Sequence, residues 1–483
     1  MIKLNQKETP LISALLNYVK KGHVGLHVPG HRQGVAIPEE MANLKNEIFQ
    51  YDLTELPGLD DLHHPEEAIA KAQTLAAQLY GCRNSYFMVN GTSGGLAALV
   101  LACCGPNDEI IIPRNVHRSI LTGLILSGAK PVYIYPPALT GFGFTTVPSG
   151  QQLNHCICQH PGARAVLMVH PTYYGVTGNL SEIADITHRA GLPLLVDEAH
   201  GAHLRFFDQL PADALQCGAD AVVQSTHKVG GALTQASMLH LNSDRVDQTR
   251  LEACLKMMQT TSPSYLLMAS LDAARRQLAE SGQRLIKQSY ETARYLRAKL
   301  KALPGIEVLE KHHLNDTLAM DETRLVINTS KIGLTGYQVF DLLSAAGVQV
   351  EMADYHNIVA VLGLNADKGA GQSLYNGLLK IVKKYSGQKL LDATLNPPEA
   401  VVMVTPREAW LAKTLRIPLE QAVGKVCGDS ISVYPPGIPA VCPGELITQE
   451  LLEYLLAVRT HKLHIQCSGD ATLKTITVVD CGV

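Results

Sequence analysis

Between about residue 85 and residue 240 the sequence alternates short apolar, β-branched runs with longer runs of helical period. "DEIIIP" is followed by "HRSILTGLILSG" and "KPVYIYP", and then come "ARAVLMVHP", "LSEIADITHRAG", "LPLLVDEAHG" and "ADAVVQSTHK". Strands that alternate with helices at this spacing predict an α/β fold, a largely parallel sheet with helices on both faces. Polar residues gather just after the strand-like runs: Asn115 and His117, Thr172 and Tyr173, Asp197 and His200, and Ser225 to Lys228. Open α/β sheets hold ligands outside the carboxyl ends of their strands, so one ligand is expected across several of these ends.

The chain has 483 residues, too many for one simple core, so a large domain with smaller ones is expected. A long helical segment from about Tyr265 to Leu303 sets one boundary near residue 310, and the prolines of "NPPEAVVMVTP" set another. The expected division is an arm over residues 1–60, a large domain over 61–310, a small α+β domain over 311–395 and a C-terminal domain over 396–483. The prolines and glycines of "SVYPPGIPAVCPGE" suit a rigid loop lining a site better than a helix.

Hydrophobic residues at 46% and charged residues at 18% fit a well-buried globular enzyme and exclude a disordered or fibrous chain. The formal net charge of -3 leaves no electrostatic footprint for nucleic acid, and no Lys/Arg-rich tract marks a membrane surface. The apolar run from Leu96 to Cys104 falls far short of the roughly 20 residues that cross a bilayer. The N-terminus carries no small-residue cleavage site after its short apolar stretch, so no signal peptide is expected. Eleven cysteines with no CxxC pair, several inside apolar runs, point to a reducing compartment and a cytoplasmic protein.

Four features converge on one cofactor. In "NGTSGG", Gly91, Thr92 and Ser93 open a helical run whose amides and hydroxyls can cradle a phosphate dianion, although the same residues also make an ordinary N-cap. Asp197 ends a buried strand, where a carboxylate is costly without a cation or donors. A protonated pyridine nitrogen is such a cation, and keeping it protonated keeps the ring an electron sink. Lys228 in "STHK" can form an imine with an aldehyde, although a lysine taken alone is usually a surface group. His117 in "RNVHRS" can stack on one ring face while the small Ala199 admits close approach on the other. Together these name pyridoxal 5'-phosphate.

The stretches "HVPGHRQG", "LDDLHHP", "NGTSGG", "RNVHRS", "DEAHG", "STHK", "TTSPSYLLMASLD" and "YPPGIP...PGE" occur in the order seen in the bacterial ornithine/lysine/arginine decarboxylases, which the chain resembles over nearly its whole length. The resemblance implies the aspartate-aminotransferase-like fold of fold type I pyridoxal phosphate enzymes, with a mostly parallel seven-stranded sheet and a separate C-terminal decarboxylase domain. By the same resemblance Lys228 is the Schiff-base lysine, Asp197 the pyridinium partner and His117 the stacking residue. Thr92, Ser93, Ser225 and His227 look like phosphate ligands, with Gly91, Ala199 and His200 beside them. Thr261 and Ser262 resemble the segment that a neighbouring subunit lends to the phosphate site, which implies at least a homodimer. With only about sixty residues before the cofactor domain, the chain resembles the short members of the family that lack an N-terminal wing.

The implied reaction is decarboxylation of a basic L-amino acid, with a lean to arginine over lysine and ornithine. His227 and Lys228 are the nearest candidates to return a proton to Cα. A cationic side chain needs an opposing carboxylate, and Glu445, Asp354 and Glu351 are the candidates, with Asp60 and Asp61 behind them. Arg32 and Arg407 either meet the substrate carboxylate or brace loops. The pairs "HH" at 63 and 312 and the "HGAH" at 200 lack accompanying metal-ligand spacing, so no metal is expected. Two rivals stand: another fold type I enzyme, α-oxoamine synthase or aminotransferase-like, since "DEAHG" also resembles α-oxoamine synthases and a His before the Schiff-base lysine resembles cysteine desulfurases, and a non-catalytic binding protein on the same scaffold.

Overall fold

The computed structural model describes residues 4–44, 47–385, 397–434, 437–461 and 463–480. The main sheet has seven strands: β1 (Asn84–Met88), β2 (Glu109–Pro113), β3 (Lys130–Ile134), β4 (Ala165–Val169), β5 (Leu194–Asp197), β6 (Ala221–Gln224) and β7 (Ser237–Leu241), in the spatial order β1-β7-β6-β5-β4-β2-β3. Only β7 runs against its neighbours; the remaining pairs are parallel. The central strands read as unbroken apolar runs because both faces are covered, as parallel sheets require. On one face Val166, Leu194, Val196 and Val222 join the core that includes Ile69 and Tyr265; on the other Leu167, Leu195 and Val223 join Leu96 and Leu99.

Helix α1 (Gly91–Cys103) is buried along most of its length, which explains its nearly all-apolar sequence. Gly95 lets it lie close on β6: a Cβ there would sit 2.9 Å from a methyl carbon of Val223. Register along the parallel strands sets Asp197 level with Val169 of β4 and Val223 of β6, at the carboxyl edge of the sheet.

Helix α2 (Tyr265–Lys301) runs for 37 residues and ends in a second core. There Ala293, Leu296 and Leu300 pack with Leu325 and Ile358 under an antiparallel sheet of β8 (Glu307–Val308), β9 (Arg324–Asn328), β10 (Met352–Ala353) and β11 (Asn357–Val361), ordered β10-β11-β9-β8. The boundary expected between residues 395 and 396 lies outside the described residues. In the C-terminal part the segment expected to be a loop is instead a strand pair, Ile431–Val433 against Ile438–Val441, whose Ile431 and Val441 are buried in a third core with Leu455. Gly437, with φ of 87°, helps turn the chain between them; Pro435 and Pro436 lie outside the described residues. Among the described residues no helix is long and apolar enough to cross a membrane, and ten cysteines are free thiols.

Candidate active site

A cavity of about 250 Å³ opens at the carboxyl ends of β4, β5 and β6. Gly91, Thr92, Ser93, His117, Asp197, Ala199, His200, Ser225, His227 and Lys228 all line it, with Val169, Pro171 and Tyr173 completing the wall. Thr261 and Ser262 do not; they are exposed in the loop before α2, where Ser262 N–H donates to Thr260 Oγ1 at 3.2 Å.

Gly91 takes φ of 67°, a left-handed value that favours glycine, and turns the chain from β1 into α1. The first turn of a helix presents N–H groups with no partner inside the helix, which suits an anion. Thr92 Oγ1 lies 3.1 Å from Ser225 Oγ, joining that helix end to the end of β6. The chain then makes one short helical turn, Thr226–Val229, in which Lys228 N–H donates to Ser225 O at 3.0 Å.

Asp197 is buried, and the one hydrogen bond to its carboxylate among the described residues comes from Ala199 N–H at 3.1 Å. Burial raises its carboxyl above the ordinary range, and the Lys228 charge only partly offsets this. Burial pulls the Lys228 amine down, against the pull of Asp197. Lys228 Nζ stands 2.9 Å from His200 Nε2 and 5.8 Å from the centre of the Tyr173 ring. Burial and the nearby Lys228 and Arg118 charges push His117 down to about 4, so its ring is neutral at physiological pH. His227 is lowered by burial and by Lys228.

The three carboxylates expected to face the substrate occupy different places. Glu445 is buried against Arg114 at 3.1 Å and accepts Cys442 N–H at 2.9 Å. Asp354 accepts the Tyr174 hydroxyl at 2.7 Å and borders a separate cavity of about 320 Å³. Glu351 is exposed, and its charge is felt at both Lys228 and Arg324. Asp60 accepts the N–H groups of Glu67 and Ile69 where the Ala68–Tyr80 helix begins, and Asp61 accepts that of His63. Arg407 donates to Ile125 O, bracing a helix, and Arg32 has φ of 52° in the N-terminal loop.

Arg324 was not anticipated. It is fully buried, and its Nη2 donates to His200 Nδ1 at 2.9 Å. The sequence signal is a lone arginine directly before the apolar Leu-Val-Ile of "RLVIN", far along the chain from the residues it meets. The cavity therefore offers an anion cradle, a buried carboxylate with no cation bonded to it among the described residues, and a desolvated amine. That set fits pyridoxal 5'-phosphate, whose phosphate, ring nitrogen and aldehyde need those three groups in turn.

The sequence matches the Orn/Lys/Arg decarboxylase major domain over residues 9–370 and the Orn/Lys/Arg decarboxylase C-terminal domain over residues 384–465. The chain belongs to the Orn/Lys/Arg decarboxylase family. It is 38% identical to an arginine decarboxylase of Bacillus subtilis (strain 168) across 99% of each chain, and 36% identical to one of Bacillus anthracis across 99% of each. Lysine decarboxylase A from Pseudomonas aeruginosa superposes with a TM-score of 0.86 over 98% of this chain and 81% of that one; at 22% identity this likeness shows the fold. Membership in the Orn/Lys/Arg decarboxylases makes the chain a pyridoxal phosphate-dependent carboxy-lyase acting on a basic amino acid.

Proposed function

We propose that the chain converts L-arginine to agmatine and carbon dioxide, with Lys228 as the lysine that bonds to the coenzyme. The observation that carries this reading is that Asp197 and Lys228 face one cavity beside the Thr92 and Ser225 anion cradle. The choice of arginine rests on the names of the relatives at 38% and 36% identity. Pyridoxal 5'-phosphate supplies an electron sink for the bonding electrons released as carbon dioxide departs. Gly91, Thr92 and Ser93 at the start of α1, with Ser225 and His227, hold the phosphate. Asp197 holds a proton on the ring nitrogen, and His117 and Ala199 flank the ring. His200 holds Lys228 through the 2.9 Å contact.

Ser93 and His117 also border a groove of about 1000 Å³ whose other wall carries Ser432 and Tyr434. We take this groove as the substrate's way in, with Glu351 meeting the guanidinium end. Thr261 and Ser262, exposed and away from their own cavity, are the residues lent to the phosphate site of a second copy in a homodimer. The amine product suits a cytoplasmic polyamine-forming role.

The test is a product assay of the holoenzyme with L-arginine, L-lysine and L-ornithine. Agmatine is the expected product; cadaverine or putrescine without agmatine overturns the substrate, and no carbon dioxide from any of the three overturns the reading.

A further inference from the structure

The His200 ring is held at both nitrogens. Arg324 Nη2 lies 2.9 Å from Nδ1, and Lys228 Nζ lies 2.9 Å from Nε2. A guanidinium has only donors and keeps its charge, so Nδ1 accepts. A neutral imidazole that accepts at Nδ1 carries its proton on Nε2, and that N–H then faces Lys228 Nζ. An ammonium has no lone pair to receive it, whereas a free amine does.

The surroundings agree with this proton count. Burial, together with the permanent Arg324 charge beside its ring, holds His200 well below the ordinary histidine range, which excludes the doubly protonated ring. Around Lys228, burial and Arg324 disfavour the ammonium, Asp197 and Glu351 favour it, and the rings of His117, His227 and Tyr173 complete the enclosure. Arg324 cannot turn away easily. Its Nη1 donates to Tyr173 O at 3.3 Å, its Nη2 also reaches His200 O at 3.3 Å, and its Nε lies 3.5 Å from Asp321, which pairs with His203 at 3.1 Å.

We propose that Arg324 is a positioning residue: it fixes His200 with the proton on Nε2 and thereby holds Lys228 as an uncharged amine, the form that can bond to the coenzyme aldehyde. This rests on the reading of Lys228 as the coenzyme lysine. It assigns a task to a buried cation that touches neither the anion cradle nor Asp197.

The test uses the full chain freed of coenzyme. Nitrogen-15 spectra of histidine-labelled protein, with the His200 signals identified by their loss in His200→Gln, should show Nε2 protonated and Nδ1 bare near neutral pH. A ring protonated at Nδ1, or at both nitrogens, overturns the proposal. His200→Phe removes the donor while leaving the Arg324 charge and adding apolar bulk. Acetic anhydride labelling of Lys228 across pH, read by mass spectrometry, should then show a midpoint raised by about one unit, roughly tenfold less label near neutrality. A midpoint unchanged or lowered would mean that charge and burial alone set the amine, and overturns it. Borohydride trapping of the coenzyme on Lys228 supports the reading beneath; trapping on another lysine overturns that reading, while the tautomer spectrum still stands or falls by itself.

Discussion

Asp197 and Glu198 are adjacent, both are buried, and burial raises both carboxyls above their ordinary range. Strand alternation sends them to opposite faces. Asp197 continues the Leu195 face and lines the cavity; Glu198 continues the Leu194 and Val196 face and turns inward. Glu198 accepts Gln224 Nε2 at 2.7 Å and Ala214 N–H at 2.8 Å, and the chain of contacts continues from Gln224 to His240 and Ser85. Among the described residues the Asp197 carboxylate has Ala199 N–H alone. One buried acid is satisfied by its own chain, the other is left with an open side. Burial and a raised carboxyl therefore do not distinguish a structural acid from a functional one; the direction it faces and the partners it lacks do.

The same pair gives the largest expected effect. Asp197→Asn keeps the shape and removes the charge, and decarboxylation by the loaded enzyme should fall by about three orders of magnitude, as loss of one partner from a buried charge pair predicts. Glu198→Gln should leave turnover within a few-fold, because Gln224 can reverse its amide to suit the new one. Its signature is in stability. A carboxyl with a raised folded pKa contributes stability that is full below its unfolded value and is lost as pH rises through the folded one. Glu198→Gln removes that loss, so its Tm should decline less than the parent's as pH climbs above the ordinary carboxylate range. Equal activity losses in the two variants would erase the distinction between the faces.

Much of this was legible in the chain because parallel strands announce themselves twice, as apolar runs and as polar clusters at their carboxyl ends. The clusters after β2, β5 and β6 are legible in the sequence, and the sheet brings His117, Asp197, His200, Ser225 and Lys228 from them to one cavity. Parallel pairing sets Val169, Asp197 and Val223 level at that edge. Arg324 was not legible in the same way: it enters from the second sheet, and its contact with His200 spans 124 residues of sequence. Glu445 and Asp354 show a related limit, since a carboxylate expected to meet a substrate cation looks the same in sequence as one already paired with Arg114 or Tyr174. The "SVYPPGIPAVCPGE" strand pair was hidden because its turn-forming residues outnumber the short apolar runs that pair.

Glu445 extends the comparison to the C-terminal part. It lies buried against Arg114, so Glu445→Ala should strand that guanidinium and cost about 3 kcal/mol of stability. Chemical unfolding measures the loss, and KM for the amino acid should stay within twofold in the surviving folded enzyme. A large rise in KM with unchanged stability would move Glu445 from the closed class to the open one.

The smallest effect belongs to Glu351, the open-side counterpart at the rim. It is solvent-exposed, yet its charge is felt at both Lys228 and Arg324, and the proposed role sets it against the guanidinium of an entering substrate. Water and salt weaken such a charge, so Glu351→Gln should raise KM for arginine by roughly threefold to tenfold with kcat nearly unchanged. The salt response separates guidance of the substrate from any local rearrangement. Adding salt should raise the parent's KM toward that of the variant and leave the variant's almost flat, because only the parent has an exposed charge to screen. Parallel salt curves for the two proteins would place the recognition of the guanidinium elsewhere, and Glu351 would then join the carboxylates that serve only the surface.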